Sequence, residues 1–234
     1  EKTIAQNARF SQFAYIAANE AMQDAQLAPK GYDSQRLGVS LGTSMGGLEF
    51  GFNQHAIFLK EGMFGLDTFV TSKLANSAAT RMISLAFRAQ GPYATISSSC
   101  VASTNAIGYG LNAIRNNQAD VMITGGVETP IAPSIVAGFY MGRILAVQNE
   151  GPIAVPRPFD AKRTGTVIGE GSAILILEEL EHALSRKAGI YAEVTGYAET
   201  NDAYHIVIPD PEGTQSIRAI NAALEDAKVN PDEV

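Results

Sequence analysis

The chain's single cysteine, Cys100, lies in ISSSCVASTNAIGYG (residues 96–110), behind three serines and ahead of a run rich in Ala and Gly. A thiolate in reach of solvent is a nucleophile, whereas a cysteine without that setting is a small buried hydrophobe. The residues leave both readings open. GPYATISSS (91–99) reads as a strand and the stretch from Val101 to about Asn116 as a helix, so Cys100 falls at a strand-to-helix corner. There the sulfur would lie over the positive end of a helix, which favours the thiolate. The peptide N–H at the same turn could donate to a developing oxyanion. A cysteine nucleophile also needs an acid–base partner, and the chain has three histidines. His55 falls in a loop after Phe52, and His182 in LEELEHAL reads as a surface residue at a helix start. His205, in NDAYHIVIPDPEG, is the best local candidate, yet a loop histidine with ordinary hydrogen bonds explains it more simply.

The elements around the corner follow from periodicity. Residues 9–27 place Phe10, Phe13, Ala14, Ala17, Ala21 and Ala25 at helical spacing. RLGVSLGTSMGG (36–47) reads as a buried strand running into a glycine loop. Residues 76–89 read as a helix capped by Asn76. ADVMITGGVE (119–128) is a second apolar strand. Together with 91–99 and the helix between them it makes a βαβ unit, hence a parallel sheet. SAILILEEL (172–180) and IYAEVTGYAET (190–200) read as further strands, and 214–229 as an amphipathic helix. The Gly108 and Gly110 positions cost a helix about 1 kcal/mol each, so the 101–116 helix is expected to be buried and held by its surroundings. VPRPFDAKRTGTVIGEG (155–171) is a long polar loop of the kind that often carries function.

Composition excludes several classes. The net charge of -7, with no Lys/Arg run, argues against a nucleic-acid surface. No apolar stretch is long enough for a membrane span, and no signal peptide is visible. One cysteine cannot form an internal disulfide, so a reducing, cytoplasmic setting is expected. No resident metal or cofactor is expected. GTSMGG and TGGVE lack the Lys-Ser/Thr ending or the dinucleotide spacing of phosphate loops, and read as tight turns and close packing. Arg157 and Asp160 of RPFD read as a structural ion pair or loop anchor rather than an acid–base dyad. The run LEELEHALSRK reads as a solvated helix start with pairing of opposite charges. The chain opens on Glu1 and stops after NPDEV, where another strand could begin, which suggests a piece of something longer.

RLGVSLGTSMGGL (36–48), GPYATISSSCVASTNAIG (91–108), ADVMITGGVET (119–129), AGFYMGRIL (137–145), RPFDAKRTGTVIGEGSAILILEELEHALSR (157–186) and NDAYHIVIPDPEG (201–213) stand in one order. In that order the chain resembles the β-ketoacyl-acyl-carrier-protein synthases, elongating condensing enzymes of the thiolase superfamily. The resemblance covers nearly the whole chain but only the middle of a full-length synthase. It implies an α/β fold of thiolase-like layered α-β-α-β-α architecture, here incomplete. Residues 1–234 would be a single partial unit, most of the N-terminal half plus the start of the C-terminal half. It implies that Cys100 accepts an acyl chain from a phosphopantetheine thioester and that malonyl-carrier protein then condenses with it. The phosphopantetheine belongs to the substrate, so no cofactor is implied. Met45 matches a position lining the acyl pocket, Phe139 the gate of that pocket, Val207 a pantetheine-binding position, and Arg143 a basic contact to the acidic acyl-carrier protein. The strand 93–98 matches the family's dimer-forming strand, implying a homodimer.

Departures from the family pattern carry consequences. The family's two catalytic histidine motifs, the lysine between them and the second oxyanion amide do not occur in this sequence, so the chain alone is expected to be inactive. The family's first strand is missing as well. His205 matches a non-catalytic histidine. Ser99 stands where Ala usually precedes the cysteine, and Val101, Ala102 and Ser103 follow in place of a small hydroxyl residue and Gly. RTGTV replaces Arg-Asp-Gly-Phe-Val. Val207 replaces a threonine, so a hydrogen bond worth about 1 kcal/mol is lost. These changes support an alternative, a non-catalytic ketosynthase-like partner subunit, although such partners commonly lose the cysteine. A thiolase shares the fold and nucleophile but does not usually carry RPFD or DAYH. Missing strands would leave sheet edges and apolar faces exposed.

Overall fold

The computed structural model describes residues 7–27, 31–146 and 156–234. In chain order they form α1 (Arg9–Asp24), β1 (Leu37–Gly42), α2 (Leu48–Glu61), α3 (Val70–Leu74), α4 (Ala78–Phe87) and β2 (Tyr93–Ile96), then α5 (Ala102–Arg115), β3 (Val121–Glu128), α6 (Pro133–Met141), β4 (Gly171–Glu178), α7 (Leu180–Ser185) and α8 (Thr214–Ala227). The strands make one sheet in the order β2-β1-β3-β4. β1 pairs in parallel with both β2 and β3, while β4 runs antiparallel to β3. The strands flanking α5 are therefore parallel, as a βαβ unit requires, with β1 between them.

Alternation along β1 and β3 builds the layers. Leu37, Val39, Leu41, Val121, Ile123 and Val127 share one core with Phe10, Ala14, Ala18 and Met22 of α1 and Ala78, Ala79 and Ile83 of α4. Each fully buried large side chain of this kind contributes about 1.5–3 kcal/mol. Apart from the buried Met122, the other face carries small or polar residues, Gly38, Ser40 and Gly42 on β1 and Thr124 and Gly126 on β3, and this lets α5 approach closely. Ser40 Oγ donates to the Ala106 carbonyl at 2.8 Å and lies 3.0 Å from the Thr124 hydroxyl. Helix, sheet and helix thus stack as layers of the thiolase-like arrangement. Gly108 and Gly110 are buried. The aromatic ring of Tyr197 fills the space a Gly108 side chain would occupy.

Several sequence expectations change. The run 190–200 is not a strand: it has no sheet partner among the described residues, and its β-formers lie over the surface. It is held instead by Tyr191 Oη donating to Asp24 and by Arg115 donating to the Thr195 carbonyl at 2.6 Å. His55 sits exposed inside α2, whose apolar Phe52 and Phe58 extended the helix through the supposed loop. Asn76 does not cap α4. That helix starts at Ala78 behind Ser77 without a side-chain cap, because Asn76 Nδ2 turns to Ser97 Oγ at 3.3 Å. Arg157 and Asp160 form no ion pair among the described residues. Asp160 instead accepts from the Lys162 N–H at 2.6 Å, closing its own turn as a loop anchor. Val155, at the start of that loop, lies outside the described residues.

Burial divides the chain. No residue after Ala183 is buried. The α8 stripe of Ile217 and Ile220 stays open, because α8 turns Ala223 and Ala227 toward Gly196 instead.

Candidate active site

β1 and β2 end level with one another, Gly42 opposite Ile96, and β3 runs two residues past its Gly126 partner to Glu128. Their carboxyl ends, the usual ligand-binding edge of such a sheet, carry the Cys100 corner. Ser99 takes φ +57°, a left-handed conformation uncommon for a residue with a side chain. Ser99–Val101 then form one 3-10 turn that runs directly into α5. The Cys100 thiol is exposed. The first turn of α5 has no side-chain cap, so peptide N–H groups stand free of side-chain partners beside the sulfur's turn.

Glycine sets how low the corner sits. A Cβ at Gly42 would lie 2.2 Å from the Ala102 carbonyl carbon, and one at Gly126 would clash with Ser103 Oγ. The amino end of α5 therefore rests directly on the strand ends. Hydroxyl and amide side chains finish the corner. Ser97 Oγ accepts from Asn76 and donates to the Ser44 carbonyl at 3.3 Å, and Ser98 Oγ accepts from Asn105 Nδ2 at 3.1 Å. Two bonds pin the far end of α5, where Arg115 pairs with Asp226 at 2.7 Å and donates to Thr195. The Arg115 guanidinium holds the Asp226 carboxyl below its usual range. Burial, with the Glu199 carboxylate beside it, pushes the Tyr197 phenol well above its ordinary value.

Of the residues singled out from the sequence, Met45 is half-buried in the loop after β1, which the Ser97–Ser44 hydrogen bond ties to the Cys100 turn. Phe139 is half-buried near the end of α6. Arg143 is exposed just past that helix, at φ +56°. Val207 is 72% exposed in the 201–213 loop, where its N–H donates to His205 Nδ1 at 3.0 Å. His205 thus braces its own loop. Among the described residues no hydrogen bond joins Phe139, Arg143, Val207 or any histidine to the Cys100 corner. His182 instead meets Glu178 at the opposite end of the sheet. No group of three or more His, Cys, Asp or Glu among the described residues is placed to hold a metal ion. A hollow of 310 Å³ between α1 and β4, lined by Ala17, Glu20, Asp24 and Ile174, contains none of the candidate residues.

Glu128 was not singled out from the sequence. It ends β3 and reaches across to the loop after β1, accepting from the Ser44 N–H at 2.5 Å and the Met45 N–H at 3.1 Å. The available signal was a carboxylate at the carboxyl end of a strand, facing a glycine-rich loop that lacks partners of its own for its amides.

Fold and corner together define a thiolase-like α/β protein that presents a cysteine where three parallel strands end beneath a helix. Residues 1–183 match the β-ketoacyl synthase N-terminal domain and residues 191–234 match the β-ketoacyl synthase C-terminal domain. The chain belongs to the β-ketoacyl synthase family. It is 40% identical over 226 residues to 3-oxoacyl-[acyl-carrier-protein] synthase 2 of Staphylococcus aureus (strain N315), which covers 97% of this chain and 54% of that relative. It superposes at TM-score 0.92 and 33% identity on a type II polyketide synthase acyl-carrier protein in complex with its ketosynthase bound to the hexaketide. That match covers 97% of this chain and 57% of the other. The ishigamide ketosynthase/chain length factor matches at TM-score 0.88 and 31% identity, over 98% of this chain and 55% of that one. The chain thus spans about half the length of the curated relatives it matches. No described helix is long and apolar enough to cross a membrane.

Proposed function

We propose that this chain carries the nucleophilic half of a decarboxylative Claisen condensation, as the synthases it resembles do. The Cys100 thiolate attacks the acyl carbonyl of a phosphopantetheine thioester on an acyl-carrier protein. The carrier's thiolate leaves and takes up a proton. Malonyl-carrier protein loses CO2, and its carbanion attacks the acyl-cysteine. A C–C bond forms, the C–S bond breaks, and the Cys100 thiolate returns. The product is a β-ketoacyl thioester two carbons longer. The Cys100 N–H serves as one oxyanion donor, Met45 and Phe139 line and gate the acyl pocket, and Arg143 meets the acidic carrier. Val207 contacts pantetheine without the hydrogen bond of a threonine. The substrate brings the pantetheine, so no resident cofactor is needed. The histidines that handle protons in such synthases are not supplied by His55, His182 or His205. Two copies pair through β2, whose outer edge is unpaired among the described residues.

The observation that carries this proposal is the exposed thiol on a left-handed turn at the amino end of α5. Its test is intact-mass analysis after incubation with an acyl-pantetheine thioester. One acyl adduct is expected on the chain and none on Cys100→Ser. The absence of an adduct, together with Cys100 alkylating no faster than free cysteine, would overturn it. That result would favour the second proposal, a non-catalytic partner in a pair like the ketosynthase/chain length factor, which the changed neighbours of Cys100 and Val207 support.

A further inference from the structure

Residues 43–47 belong to no helix or strand, yet two of their peptide N–H groups and one hydroxyl converge on one carboxylate. Glu128 Oε2 accepts from the Ser44 N–H at 2.5 Å, and the Met45 N–H reaches Oε1 at 3.1 Å and Oε2 at 3.3 Å. The Thr43 hydroxyl donates to Oε1 at 3.3 Å while its oxygen accepts from the Gly46 N–H at 3.0 Å. Among the described residues no ion pair involves Glu128, so peptide and hydroxyl dipoles compensate its charge. The gathered loop then gives the Ser44 carbonyl to Ser97, three residues before the cysteine. One side chain from β3 thereby fixes both the Met45 loop and, through that loop, the nucleophile's turn.

We propose that Glu128 is a positioning residue: it sets where Met45 stands relative to Cys100 and so how long a chain the cysteine accepts. This rests on the acyl-pocket role of Met45 proposed above. The chemistry is specific to a carboxylate. Ionised Glu accepts at both oxygens, whereas a glutamine of the same shape keeps one acceptor oxygen for the Ser44 N–H and sets its NH2 at the other position, donor against donor with the Met45 N–H that reaches Oε1 at 3.1 Å.

The test measures alkylation of Cys100 in the full chain by N-ethylmaleimide and N-octylmaleimide and compares the ratio of their rates. The unsubstituted chain is expected to favour the octyl reagent relative to a free thiol. In Glu128→Gln that preference is expected to fall about tenfold, the scale of a lost charge-assisted bond. Asp120→Asn, at the opposite end of the sheet, is expected to leave the ratio unchanged. If Glu128→Gln keeps the original ratio, or slows both reagents equally, the positioning role is overturned. If the unsubstituted chain shows no preference for the longer reagent, the acyl-pocket proposal itself fails, and it does so before any variant is made. Should Glu128→Gln not fold, Glu128→Asp decides. Its carboxylate is one methylene short, so the preference is expected to move to shorter tails, and an unmoved preference overturns the proposal.

Discussion

The two ends of the sheet are built from different chemistry. At the end where β1 and β3 begin, ions do the joining. Arg36 pairs with Asp120 at 2.6 Å and also donates to Asn117. Arg186 grips Glu178 with two bonds of 2.6 Å and donates to the Ala25 carbonyl, tying β4 and α7 to the end of α1. At the end where β1, β2 and β3 finish, one ion pair, Arg9–Glu170 at 2.7 Å, stands beside the start of β4, but among the described residues Glu128 has no ion-pair partner and the contacts around the cysteine corner are hydroxyls, amides, glycines and a left-handed turn. Charge pairs with little exposure hold one geometry but leave no unsatisfied group for a ligand. Close backbone contact and neutral donors hold a geometry just as firmly while keeping the cysteine exposed. The first end is held by charge, and the second is where the proposed chemistry would take place.

The sharpest way to break this contrast is Gly42→Ala. Its Cβ meets the Ala102 backbone, not a flexible side chain, so the corner must lift. We expect about 3 kcal/mol of lost stability together with slower Cys100 alkylation. A stable variant with an unchanged rate would show that the corner does not rest on the strand ends. Arg186→Ala should cost about 2 kcal/mol in urea unfolding, because it leaves the scarcely exposed Glu178 carboxylate with His182 as its one remaining side-chain partner. Alkylation of Cys100 should not change, and a changed rate would mean the two ends are coupled.

Ser99→Gly removes the left-handed strain. It should raise stability by about 1 kcal/mol and let the turn relax, so that Cys100 reacts more slowly. Equal reactivity would mean that φ at Ser99 is incidental.

Acid should act on the ionic end with the smallest effect. The hydrogen bond from Arg36 holds Asp120 below the usual carboxylate range. Burial pushes Glu178 up, but Arg186 and His182 outweigh it and bring it below its ordinary value. Carboxyls depressed by folding contribute stability above their unfolded values and lose it as pH falls through the folded ones, that is below about pH 4. Urea midpoints between pH 7 and 3 should therefore drop at the acid end, and Asp120→Asn should flatten that drop. A variant with the same acid slope would assign the loss elsewhere.

Legibility followed periodicity. The strands at 37–42, 93–96, 121–128 and 171–178 were visible because apolar positions alternate or run continuously between turns. The corner was visible because a strand ending in Ser met a helix of small residues. Run 190–200 misled because β-forming residues name a preference, while a strand also needs a partner edge. Asn76 misled because its amide had two uses, a cap or a bond to Ser97, and only the tertiary fold selects. Glu128 was illegible for a related reason. A terminal carboxylate looks solvated until a loop more than eighty residues away in the chain is folded against it.

That separation has a consequence in time. The bonds that shape the corner close chain segments of 53 and 84 residues, and parallel pairing of this kind is slow to form. No local stretch of the polypeptide can rehearse the site in advance. A nascent or misregistered molecule would therefore carry the cysteine without its setting, and a properly aimed thiol would mark molecules whose three central strands have already found one another.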